Sequence, residues 1–104
     1  MTPLPKSAKV VVIGGGIAGC STAYHLAKNG WKDTVLIERD KLTSGTTWHA
    51  AGMITQLGPT AQITKLRKHS ISFYKKLIKI TGQNSSFKKT GTINIASNKV
   101  RYQE

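Results

Sequence analysis

Three glycines, one glutamate and one histidine are the residues of this 104-residue chain best suited to chemistry. Gly14, Gly16 and Gly19 follow the apolar run Val10–Ile13 in the spacing G-x-G-x-x-G. Each meets a different need of a bound pyrophosphate. Gly14 permits a tight turn, Gly16 lets phosphates approach the backbone, and Gly19 lets the next helix pack closely on the strand. The helix N-terminus adds unpaired N–H groups and the positive end of a dipole. Glu38 lies nineteen residues beyond Gly19, where a dinucleotide fold places an acid against the adenosine ribose hydroxyls. The alternative is a strand-end carboxylate paired with Arg39. Only four acids occur in the chain, so a chance placement is disfavoured. A carboxylate also repels a 2′-phosphate. The pattern therefore indicates an ADP-containing dinucleotide, with NADP the least favoured and NAD and FAD both open.

The segment Leu42-Thr-Ser-Gly-Thr-Thr-Trp-His-Ala-Ala-Gly-Met53 is rich in small and hydroxyl residues yet carries Trp48 and His49. Small residues let backbone approach a large flat ligand, and backbone amides can meet its heteroatoms. This composition suits a loop entering a short helix beside a flavin. Together, Val11–Glu38 and Ser44–Met53 resemble the N-terminus of the FAD-dependent amine oxidoreductases of the D-amino-acid oxidase superfamily, nearest the dimethylglycine and sarcosine dehydrogenase group. The resemblance runs from about Val10 to the end of the chain, and Thr-Trp-His-Ala-Ala-Gly is its most specific motif.

The resemblance implies an α/β, Rossmann-like FAD-binding fold, here incomplete. It implies that Ile17 and Ala18 face the pyrophosphate and that Glu38 and Arg39 flank the adenosine. Gly45, Thr46, Thr47, Trp48, His49, Ala50, Ala51, Gly52 and Met53 wrap the flavin end. His49 would be bonded covalently to the flavin 8α-methyl carbon, a neutral imidazole being a competent nucleophile; the alternative is a hydrogen-bonding histidine beside non-covalent FAD. Trp48 is either a wall of the isoalloxazine site or plain packing. The implied reaction removes hydride from the N-methyl carbon of a glycine-type amine. No catalytic or substrate-binding residue falls within the chain. Some relatives carry a folate-binding module downstream. The implied location is cytoplasmic, or the mitochondrial matrix in a eukaryote.

The elements that must position these groups follow from periodicity. Met1–Ala8 reads as a mobile lead-in. Lys9–Ile13, continuously β-branched in Val10–Ile13, suits a parallel strand buried on both faces. Ile17 to about Asn29 is helical, with Gly30 free to end it in the left-handed conformation. Thr34–Glu38 is a second strand. Gly58-Pro59 breaks the chain, and Thr60 can cap an amphipathic helix from Ala61 to about Ile80. Thr92–Ser97 alternates as a half-buried strand, and Asn98–Glu104 reads as a tail without a helix cap. The expected organisation is a FAD-binding segment over 9–58, then a helix and strand over 59–104 leading toward a substrate domain.

Sixteen basic residues against four acids give a net charge of +12, which raises nucleic acid or an anionic membrane as partners. The basic residues are thickest in Lys65–Lys89, where they read as the solvated face of a helix. No stacking aromatics or zinc-ligand spacing accompany them, so nucleic acid is not expected. Cys20 is the only cysteine, which excludes an internal disulfide; it reads as a small residue packed against the sheet. His69 lacks companion ligands for a metal. No run is long and apolar enough to span a bilayer. The length is short for a complete enzyme of this kind, so a fragment that is inactive alone is expected. The competing readings are an NAD-dependent dehydrogenase and a non-catalytic basic binding module.

Overall fold

The computed structural model describes residues 3–103; Met1, Thr2 and Glu104, parts of the expected lead-in and tail, lie outside the described residues. The chain forms two compact units, residues 1–52 and 53–104.

The first unit is a β–α–β turn of chain: β1 (Val10–Ile13), α1 (Ile17–Lys28) and β2 (Thr34–Ile37). The strands pair in parallel, with Val10 opposite Thr34 and Ile13 opposite Ile37. The pairing continues at both ends. Val10 N–H donates to the Asp33 carbonyl at 3.2 Å and Gly14 N–H to the Ile37 carbonyl at 2.8 Å. Parallel strands need a crossover, and α1 supplies it. Helix α1 stops at Asn29, and Gly30 takes φ +87° as expected of a left-handed terminator. His25 and Lys28 sit in its last turn, where cations suit the negative end of the dipole.

One expectation for β1 is corrected. The strand is not buried on both faces: Val11 is 49 % and Ile13 86 % exposed, and none of the described hydrophobic residues is fully buried. The sheet has two strands and a single helix against it. The β-branched run is therefore composed for neighbours that the first unit does not itself supply.

The second unit is built on α2 (Ala61–Thr81). The Thr60 hydroxyl accepts from Ile63 N–H at 3.2 Å, and Gly82 closes the helix at φ +70°. Arg67 reaches back from α2 to the Leu57 carbonyl and the Thr55 hydroxyl, which ties the Gly58-Pro59 turn to the helix. Phe87 stacks on Tyr74, with ring centroids 6.0 Å apart. Two expectations fail here. Thr92–Ser97 has no strand geometry, because an alternating sequence becomes a strand only beside another, and none pairs with it among the described residues. Asn98 is not a tail residue but opens a short helix, α3 (Lys99–Gln103), with its Oδ1 accepting from Arg101 N–H at 2.9 Å.

Candidate dinucleotide site

The glycine turn connects the carboxyl end of β1 to the amino end of α1, which is where open α/β sheets bind their ligands. Gly14 has φ +99°, a conformation that a side chain would strain. Gly19 is required by contact instead: a Cβ there would collide with the Gly14 carbonyl oxygen. At Gly16 a Cβ would lie 2.9 Å from Thr47 Oγ1. The three spaced glycines thus have three separate physical reasons to be glycine.

Helix α1 begins without a side-chain cap of its own and without an acid in its first turn. The first intrahelical bond runs from Cys20 N–H to the Gly16 carbonyl at 2.9 Å. The N–H groups of Gly16, Ile17, Ala18 and Gly19 therefore lie ahead of it. Ile17 N–H donates to Thr47 Oγ1 at 2.9 Å, across thirty residues of sequence. The loop after β2 is thereby fastened to the helix N-terminus. Thr43 N–H donates to the Gly15 carbonyl at 2.9 Å and makes a second tie. Thr43 itself has φ +68°, so this turn is held in a conformation few threonines adopt.

Glu38 stands against the same turn. Its Oε2 accepts from Gly15 N–H at 2.6 Å and its Oε1 from Asp40 N–H at 3.0 Å. These two backbone donors, Gly15 first, hold the carboxyl below its ordinary value of 4.5, and the Arg39 charge adds to them. Glu38 is therefore an anion at neutral pH. Each of its oxygens keeps a lone pair for a further donor, which is the requirement for accepting from a ribose diol. The neighbouring Arg39 is exposed.

From Leu42 to His49 the chain is a run of turns rather than the expected short helix. The bonds Trp48 N–H to Gly45, His49 N–H to Thr46 and Ala50 N–H to Thr47 all span three residues. His49 Nδ1 lies 2.9 Å from the Gly45 carbonyl oxygen. A carbonyl only accepts, so in the neutral ring this contact puts the proton on Nδ1 and the lone pair on Nε2. Trp48 is 78 % exposed. Ala50, Ala51 and Gly52 are exposed beside it, and Met53, 81 % exposed, begins the second unit.

Gly15, Leu42 and Thr43 were not expected at the site. Gly15 donates to Glu38, its carbonyl takes Thr43 N–H and the Cys20 thiol at 3.3 Å, and a Cβ on it would meet Leu42 and Glu38. The run of three glycines was the available signal, since the G-x-G-x-x-G spacing leaves the middle one unexplained. A shallow concavity lined by Lys9, Asn29–Lys32 and Asp33 lies at the opposite end of the strands, away from this machinery.

Residues 9–104 match the family described as "FAD dependent oxidoreductase". The chain belongs to that family. It is 44 % identical over 102 residues to the 4-methylaminobutanoate oxidase (formaldehyde-forming) of Paenarthrobacter nicotinovorans, covering 98 % of this chain and 12 % of that protein. To the human mitochondrial dimethylglycine dehydrogenase it is 48 % identical over 97 residues, covering 93 % of this chain and 11 % of the relative. To the human mitochondrial sarcosine dehydrogenase it is 48 % identical over 103 residues, covering 98 % and 11 %. The chain thus spans about an eighth or less of these relatives' length. As a member of a FAD-dependent family it resolves the NAD-or-FAD choice in favour of FAD. Its residues fit that group: a glycine turn at the start of α1, first-turn N–H groups beyond the Ile17 N–H that Thr47 takes, and an ionised Glu38 beside them.

Proposed function

We propose that this chain supplies the dinucleotide-holding part of an oxidoreductase that oxidises N-methylated amino acids of the dimethylglycine and sarcosine type. Residues 9–58 hold the cofactor, and 59–104 lead toward the substrate-binding part. The first-turn N–H groups of Ala18 and Gly19 and the dipole of α1 meet the pyrophosphate, beside Ile17, whose own N–H is held by Thr47. Glu38 accepts from the adenosine ribose, with Arg39 beside it. Gly45 to Met53 line the flavin end, with Trp48 as a wall. His49 is the attachment residue, its Nε2 left as the nucleophile by the Nδ1–Gly45 bond. Bound there, FAD supplies the two-electron acceptor for a hydride leaving an N-methyl carbon.

The observation that carries this reading is the Glu38 carboxylate bonded to the glycine turn at 2.6 Å. It brings the acid from the end of β2 to the pyrophosphate cradle. The substrate class rests on the named activities of three relatives, which all act on N-methylated amines. Two of them are mitochondrial, and a mitochondrial matrix location follows if the source is a eukaryote. Residues 3–103 contain no helix long and apolar enough to cross a membrane. A folate-binding module belongs to this proposal only as a downstream part.

The test is anaerobic mixing of the full-length protein of which this chain is a part, as purified, with dimethylglycine, sarcosine or 4-methylaminobutanoate. The flavin absorbance near the visible maximum bleaches with at least one of them. Absence of a flavin chromophore, or bleaching by reduced nicotinamide but by none of the amines, contradicts the proposal.

A further inference from the structure

The basic residues of α2 are arranged in a way that the dinucleotide site does not use. At 100° per residue, Lys65, Lys68, Lys75, Lys76 and Lys79 fall within an arc of about 100° on one side of the helix. All five are exposed. Ala61 and Ser72, both exposed, are the other residues in that arc, so no acid and no large apolar group interrupts it. The lysines run along about 21 Å of helix at 1.5 Å per residue. Between Asp40 and Glu104 the sequence holds no acidic residue at all.

A lysine face serving only solubility normally alternates with Glu at i and i+4, because such pairs stabilise a helix. Here Lys65 and Lys68, Lys75 and Lys79, and Lys76 and Lys79 are like-charged neighbours at three or four residues, which oppose the helix. This self-repulsion is relieved when an anionic surface lies over the strip. The strip has no apolar or aromatic centre, and a specific protein interface takes most of its energy from such anchors. It also has no stacking ring or arginine fork for bases and phosphodiesters. A fluid lipid surface needs neither, since headgroups rearrange under each ammonium and the attraction adds lysine by lysine.

We propose that the lysine face of α2 docks on an anionic phospholipid surface, peripherally and independently of the flavin. Each lysine close to such a surface multiplies partitioning by about five. The experiment is co-sedimentation of the full-length protein with equimolar phosphatidylcholine–phosphatidylserine vesicles and with phosphatidylcholine alone. Binding to the mixed vesicles is expected at ~0.01 M salt and lost at ~1 M, where the screening length falls from about 30 Å to about 3 Å. Binding to phosphatidylcholine is expected to be absent. The variant with Lys65, Lys68, Lys75, Lys76 and Lys79 all changed to Gln, which has similar helix propensity, should lose more than about 100-fold in partitioning with unchanged circular dichroism. The corresponding Arg variant should retain it. Equal binding to both vesicles, retention by the Gln variant, or capture by soluble heparin with no binding to vesicles overturns the proposal. Vesicle binding has no bearing on amine-dependent bleaching, so the two proposals fail separately.

Discussion

At the scale of single residues, Glu38 is prepared by two backbone donors and His49 by one backbone carbonyl. Glu38 owes its low pKa first to Gly15 N–H and then to Asp40 N–H. A carboxyl whose folded pKa is depressed stabilises the fold above its unfolded value and loses that contribution as pH falls through the folded one. The stability difference between the parent protein and Glu38→Gln should therefore be constant above the ordinary carboxyl value of 4.5 and shrink on acidification. Thermal melts across pH check this; a difference that grows in acid contradicts it. Glu38 was readable from sequence because its chemistry lies in one residue type at one distance from the glycines. Thr47 was readable as one of the residues at the flavin end but not as the cap of α1. Its bond to Ile17 N–H spans thirty residues, and no local pattern encodes a partner that far away.

At the scale of elements, the central feature is the attachment of the loop after β2 to the start of α1. Helix α1 borrows its cap from Thr47, because Gly16 offers no side chain and must stay glycine to clear that same hydroxyl. Thr47→Val should cost about 1 kcal/mol, as loss of a helix cap does, while Thr47→Ser retains most of it; denaturant midpoints of the full-length protein separate the two. Equal midpoints for Val and Ser would contradict the capping role. The same physics explains which elements were legible. β1, α1, β2 and α2 carry their own signals: a β-branched run, a 3.6-residue period, Thr60 at one helix end, and Gly30 and Gly82 at the others. Thr92–Ser97 carries only alternation, which names a face without naming a partner. α3 went unread because Asn98 looks equally like a polar tail and a cap.

At the scale of the whole molecule, residues 3–103 contain hydrophobic side chains composed for burial, yet none is buried. Val11, Ile13 and Ile37 of the sheet are exposed, in keeping with a chain that spans 11 to 12 % of its relatives. The 104-residue chain by itself is expected to melt without a cooperative transition and to leave N-methyl amines unoxidised; a sharp calorimetric transition with amine turnover would contradict this. The account stands or falls on whether the glycine turn and the 45–53 loop hold one FAD. The most direct measurement is where flavin goes when the full-length protein is denatured and precipitated in acid. The parent protein should carry its flavin fluorescence into the pellet, while His49→Ala should hold flavin in the native state and release it to the supernatant. Flavin still in the pellet of His49→Ala, or none bound to the native parent protein, would contradict the account.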